Sequence, residues 1–139
     1  MISYKSKYGK LPGSSYNELA PLARKEYQLI KKLTKRQPYV RSSYFTKDKI
    51  FLSLFWEHLA QKHRADRASR LKLYLCALDL LRHSKLAPDT IFSADNRDVL
   101  LHRFLGETKD GELFYVQVKE NKRTGRKDFM SVFPKGKRK

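Results

Sequence analysis

The chain has 139 residues, enough for one domain with a real core, and carries 31 Lys+Arg against 14 Asp+Glu, a formal net charge of +17. Self-repulsion at that level opposes compactness, so the excess points to a polyanionic partner: nucleic acid first, with an anionic membrane surface or an acidic protein as alternatives. A single cysteine, Cys76, excludes a disulfide framework and a thiolate metal cluster. No run of about 18 apolar residues and no signal-type hydrophobic region occurs, so a cytoplasmic protein is expected.

The charge is uneven. Residues 1–42 hold ten basic and two acidic residues, 43–98 ten and seven, and 99–139 eleven and five. The middle therefore reads as scaffold, and the two ends carry the field.

The opening MISYKSKYGKLPGSS has lysines and tyrosines without a period and reads as a flexible basic arm. Ser15 and Glu18 have capping-box spacing, with Asn17 as the alternative cap, and Leu19, Leu22, Tyr27, Ile30 and Leu33 form a helical stripe. Pro21 must fall near the start of that helix, and the cations before Pro38 suit its negative end. After the connector VRSSYF, Thr46 caps a second helix running to about His63 on Ile50, Phe51, Leu54, Phe55 and Leu59. Asp66 caps a third, RASRLKLYLCALDLLRH, with Leu71, Tyr74, Leu75, Leu78 and Leu81 on one side and Cys76 as a buried thiol. It stops before Pro88. His58, His63 and His83, near helix ends, read as structural or merely exposed.

From Val99 the period changes from 3.6 to 2. The strands are VLLHRFLGE, LFYVQVKE and KDFMSVF, joined by turns at KDG and KRTG. The expected fold is α+β: N-terminal helices, then a three- to four-stranded antiparallel meander with the third helix packed on one face. A fourth strand would come from DTIFS or from beyond Pro134. Residues 1–42 form the basic arm and first helix, 43–134 the α+β core domain, and 135–139 a disordered basic tail.

Turn chemistry sets the register. Asp110-Gly111 favours a two-residue primed turn, which places Phe104 opposite Gln117 and His102 opposite Lys119; a three-residue loop would instead bring Arg103 to that face. An odd-length loop with Gly125 in the left-handed position pairs Lys119 with Phe129, Gln117 with Ser131 and Tyr115 with Phe133. Val116 with Val132, and Val118 with Met130, then face the core. The other face reads His102–Lys119–Phe129, Phe104–Gln117–Ser131 and Gly106–Tyr115–Phe133. Cations there would hold a phosphate, rings would stack on bases, Gly106 would leave room for close approach, and His102 would move protons near neutral pH. The bland reading makes Lys119, Arg123, Arg126 and Lys127 a solvated rim, with Phe129 and Phe133 under a second layer of the chain.

The leucine-rich helix, then APDTIF, then LLHRF, ELFYVQVK and KDFMSVFP resembles a phage- or mobile-element-type member of the barnase/EndoU/colicin/RelE superfamily of ribonuclease toxins, over roughly residues 67–134. The resemblance implies a helix on a twisted antiparallel sheet whose open face cleaves RNA without metal or cofactor. The 2′-hydroxyl attacks the adjacent phosphorus, leaving a cyclic phosphate and a 5′-hydroxyl end. On that resemblance His102 is acid or base, Lys119 and Arg126 or Lys127 steady the phosphate, and Ser131 and Phe133 match the Ser-x-aromatic of the final strand of the colicin D type. Arg103 replaces either cation if the first turn is longer. Arg103, Phe104, Tyr115, Gln117, Arg123, Lys127, Phe129 and Phe133 are the expected nucleic-acid contacts, RNA first and DNA as the alternative. An acidic immunity or antitoxin protein is the implied protein partner, no membrane is involved, and oligomeric state is left open. The other function carried forward is a non-catalytic RNA- or DNA-binding accessory protein using the same face.

Overall fold

A computed structural model describes residues 2–136. Helix α1 (Tyr16–Leu33) begins at the capping box: Ser15 Oγ accepts from Glu18 N–H at 3.3 Å, and Glu18 Oε1 accepts from Ser15 N–H at 3.2 Å. Its buried side is Leu19, Ala20, Ala23 and Ile30, whereas Leu33 of the expected stripe stays exposed. Strand β1 (Tyr4–Lys5) precedes it. Strands β2 (Tyr39–Arg41) and β3 (Lys49–Phe51) follow, then helices α2 (Ser53–Leu59), α3 (Arg64–Leu71) and α4 (Tyr74–His83). Strands β4 (Asp89–Phe92), β5 (Val99–Glu107), β6 (Leu113–Asn121) and β7 (Lys127–Pro134) complete the described chain.

The strands form a seven-stranded mixed sheet, curled into a half-barrel, in the order β1-β5-β6-β7-β3-β2, with β4 also paired to β5. This corrects the expected three- to four-stranded antiparallel meander with helices ahead of it. β1 joins β5 in parallel through Tyr4 and Gly106, and β3 joins β7 in parallel through Ile50 and Lys127. The three added strands hold two or three residues each. That is too short for a period-2 pattern to declare itself, and partners distant in sequence hold them in place.

Two helix expectations change for the same reason. Ile50 and Phe51, taken as helical, are strand residues, so α2 starts only at Ser53. Thr46 does not cap it but lies in a tight turn where Thr46 (φ 55°) and Lys47 (φ 72°) both take the left-handed conformation. The long third helix is two helices, broken at Lys72–Leu73, where the Lys72 carbonyl accepts from Leu11 N–H at 2.9 Å. The opening segment is thus docked, not loose. Ser6 N–H donates to Glu107 O at 2.8 Å, Lys109 N–H donates to Tyr8 O at 2.9 Å, and Ser6 is buried. The last three residues of the expected tail, 137–139, lie outside the described residues; Lys135 N–H still donates to Leu113 O at 3.0 Å.

Helices α2 and α4 cover the side of the sheet carrying Phe104, Phe114, Val116, Val118, Phe129 and Val132, with α1 packed over α3 and α4. Between β5 and β6 the loop has the three-residue form. Thr108 N–H donates to Glu112 O at 2.8 Å around Lys109–Gly111, with Gly111 at φ 93°. Arg103 therefore faces Gln117, Leu105 faces Tyr115, and His102 faces Val118. Between β6 and β7 the turn has four residues, not the expected odd number: Asn121 N–H donates to Arg126 O at 2.9 Å, which sets Lys119 against Asp128 and Val118 against Phe129. A bulge then offsets this, so that the expected pairs Gln117–Ser131 and Tyr115–Phe133 form. Phe129 turns into the core and Met130, expected there, is the extra residue. Gly106 also lies on the core side, where an added Cβ would come within 2.5 Å of Phe114 Cζ.

Candidate nucleic-acid interface

The polar side of β5, β6 and β7 now reads Leu105–Tyr115–Phe133, Arg103–Gln117–Ser131 and Leu101–Lys119–Asp128. Arg103 is held on three sides. Its guanidinium carbon lies 5.4 Å from the Tyr115 ring centre and 5.2 Å from that of Phe133, and Nη2 and Nε donate to Gln117 Oε1 at 3.0 and 3.3 Å. The two rings are tilted neighbours, 5.8 Å apart at 46°. Among the described residues no carboxylate pairs with Arg103.

A second guanidinium reaches the same ring from α3. Arg70 stands 5.4 Å from the Phe133 centre, and its Nη1 donates to Ser131 Oγ and, at 3.4 Å, to the Val132 carbonyl. Its Nε sits 3.3 Å from Asp66 Oδ1, but the approach is too oblique for a hydrogen bond, so that contact is an ion pair only. Lys119 continues the row; the carboxylate opposite it, Asp128, is already engaged by Arg126 Nε and Nη2 at 3.1–3.2 Å. His58 of α2 lies within electrostatic range of Lys119. Burial, then the positive charges of Lys62 and Lys119, hold its pKa below the usual histidine value.

His102, expected at the centre, is on the other side of the sheet. It is 6% exposed, with Nε2 2.6 Å from Glu120 Oε1, Nδ1 2.8 Å from Thr90 Oγ1 and its ring against Phe45. Both ring nitrogens are engaged, and Ser131 faces the opposite way. Neighbouring residues along a strand alternate sides, so bringing Arg103 to the polar face necessarily takes His102 away from it. Lys127 joins the same buried network, with Nζ 2.8 Å from Asp48 and 3.6 Å from Glu120, and contacts no open surface. Phe104 packs on Tyr44 and Phe45, and Phe129 stacks on Phe55 at 4.8 Å and 8°. All four leave the candidate interface.

Arg126 and Arg123 sit at the rim. Arg126 lies over Phe51 at 4.2 Å and donates to Gln37 Oε1 at 2.8 Å; Arg123, its side chain 77% exposed, is 4.0 Å from Asp98. Six expected residues are therefore brought together: Arg103, Tyr115, Gln117, Lys119, Ser131 and Phe133. The sequence reading passed over Arg70 and His58. For Arg70 no local signal exists, because its partners are on β7. His58 was visible only as one of three helix-end histidines.

The face is open, not a cleft; surface recesses lie elsewhere, for instance between Ser14–Asn17 and Arg64–Ala68. Among the described residues no group of three or more His, Cys, Asp or Glu is placed to hold a metal ion, and no helix is long and apolar enough to cross a membrane. No protein-family model, no curated protein and no solved structure matches this chain. What the face can bind rests on its own geometry.

Proposed function

We propose that the protein binds single-stranded RNA across the polar face of β5, β6 and β7. The observation that carries this reading is the Arg103 guanidinium, held against two rings and the Gln117 carbonyl with no carboxylate to neutralise it. A cation already fixed in place loses little freedom when a phosphate arrives, and a second one, Arg70, shares the Phe133 ring. Tyr115 and Phe133 offer ring surface to unpaired bases, worth about 1–3 kcal/mol for each base stacked. The net charge of +17 draws the strand in.

The test is a salt series with labelled single-stranded RNA, and DNA of the same sequence, on wild type, Arg103→Ala and Phe133→Ala. Affinity should fall steeply with salt and drop at least tenfold in each variant. Lys25→Ala with Lys32→Ala, exposed on α1 in the helical layer, should lower affinity only slightly. Wild-type affinity in both face variants would sink the proposal and leave a diffuse attraction to polyanions.

Cleavage of the bound RNA is a second reading, the one that the ribonuclease-toxin resemblance implies, and it is favoured by His58. An imidazole whose pKa burial and the charges of Lys62 and Lys119 depress is held neutral, and so able to take a proton, at neutral pH. His102 has no part in it. Cyclic-phosphate products formed in excess chelator, lost in His58→Ala and kept in His102→Ala, support cleavage; intact RNA under those conditions rejects it. A cytoplasmic location belongs to the same proposal.

A further inference from the structure

We propose that the Gln117 row selects bases carrying a carbonyl, uracil or a 6-oxopurine, over bases with an exocyclic amine at that position. This preference rests on RNA binding at the polar face and adds a base-reading residue to it. A glutamine amide has one accepting and one donating end, and its neighbours decide which is left for a ligand. Here the accepting end is occupied: Oε1 receives Arg103 Nη2 at 3.0 Å and Nε at 3.3 Å. A guanidinium has only hydrogens to offer, so the reversed amide, NH₂ against Arg103, would set hydrogens against hydrogens.

Nε2 therefore points away from Arg103. Its protein neighbour is the Met130 thioether at 3.4 Å, a weak acceptor that leaves two N–H groups largely unspent. The bulge after Gln117 is what accommodates Met130 as the extra residue of β7. Across the strand pair, Ser131 commits an oxygen lone pair to Arg70 and keeps its hydrogen free. The row from Arg103 through Gln117 and Ser131 to Arg70 thus presents a ligand with hydrogens.

Phosphate oxygens and base carbonyls are acceptors and fit such a row. An exocyclic amine brings a donor to a donor and leaves Gln117 Nε2 unpaired under the base. The rings that would hold the base, Tyr115 and Phe133, are two residues along from Gln117 and Ser131, about 6.8 Å away in an extended strand. A base stacked there has its edge within reach of the amide.

The experiment uses labelled pentamers of uridine and cytidine, and of inosine and adenosine, so that each pair differs at an oxo versus an amino group. Wild type should bind the oxo member about fivefold more tightly in both pairs, the worth of one ordinary hydrogen bond. Gln117→Ala should bring both ratios to about one, and Gln117→Glu, with acceptors in place of donors, to one or below. Salt-dependent binding without discrimination, or discrimination that survives in Gln117→Ala, overturns the base preference while RNA binding stands. No salt-dependent binding of any pentamer overturns both.

Discussion

Asp79 ties Tyr4, Ser6 and Lys7 of the opening segment to the rest of the molecule, and replacing it should loosen them. The carboxylate is buried on α4. Its Oδ2 accepts from Ser6 Oγ at 2.9 Å, Tyr4 OH at 3.1 Å and Lys7 N–H at 3.2 Å, and its Oδ1 lies 2.9 Å from His83 Nδ1. Burial alone would raise its pKa, but the bonds from Ser6, Lys7, His83 and Tyr4 together outweigh it and hold the carboxyl below the usual aspartate value. Tyr4 shows the counterpart: burial, then the charge and hydrogen bond of Asp79, push its phenol up to about 12.

Asp79→Ala leaves one buried and two part-buried donors without their acceptor. The cost is about 3–5 kcal/mol, or roughly 10–15 °C in Tm for a chain of this size. Trypsin should then cut readily after Lys5 and Lys7, which the docked strand protects in wild type. The pH dependence has a definite sign. A carboxylate whose folded pKa is depressed stabilises fully above its unfolded value, about 3.9, and loses that contribution as pH falls through the folded value. The stability gap between wild type and Asp79→Asn in urea should be flat from pH 5 to 8 and narrow below about pH 4. A gap under 1 kcal/mol at pH 7, or one that does not change between pH 6 and 3, would refute the reasoning.

Three further outcomes follow from the same geometry. Phe129→Ala removes the ring stacked on Phe55 and should cost about 3–5 kcal/mol in urea unfolding, as expected for a core ring. Gly106→Ala should destabilise by about 1–3 kcal/mol, because its Cβ would lie 2.5 Å from Phe114 and 2.8 Å from Leu80, neither free to move. His58, depressed below the ordinary histidine value, gains its charge only as pH drops beneath about 6.5, so RNA affinity should rise between pH 7 and 5 in wild type and stay level in His58→Ala.

The amino-acid sequence by itself determined what depends on near neighbours. The capping box at Ser15 and Glu18 is a contact three residues apart, and it formed as read. The three long C-terminal strands carry their own alternation, but the turn at Gly125, with φ 78°, spans four residues where three were expected, and the pairs Gln117–Ser131 and Tyr115–Phe133 form only because the bulge at Met130 offsets it. Tyr115, Gln117 and Lys119 were legible because one alternating pattern puts them on one side of β6; Ser131 and Phe133 join them through the bulge.

Tertiary structure decided the rest, because side-chain facing in a strand has a period of two and any single-residue shift inverts it. One residue more in the Lys109–Gly111 loop exchanged Arg103 for His102 on the polar face. One residue more in the Lys122–Gly125 turn sent Phe129 inward to Phe55, a partner far back in the chain that no local pattern names, and the bulge then returned Ser131 to the polar side. Strands of two or three residues such as β1 and β3 have too little length to carry a pattern. They exist because β5 and β7 offered unpaired edges, and a backbone buried beside an edge must bond to it.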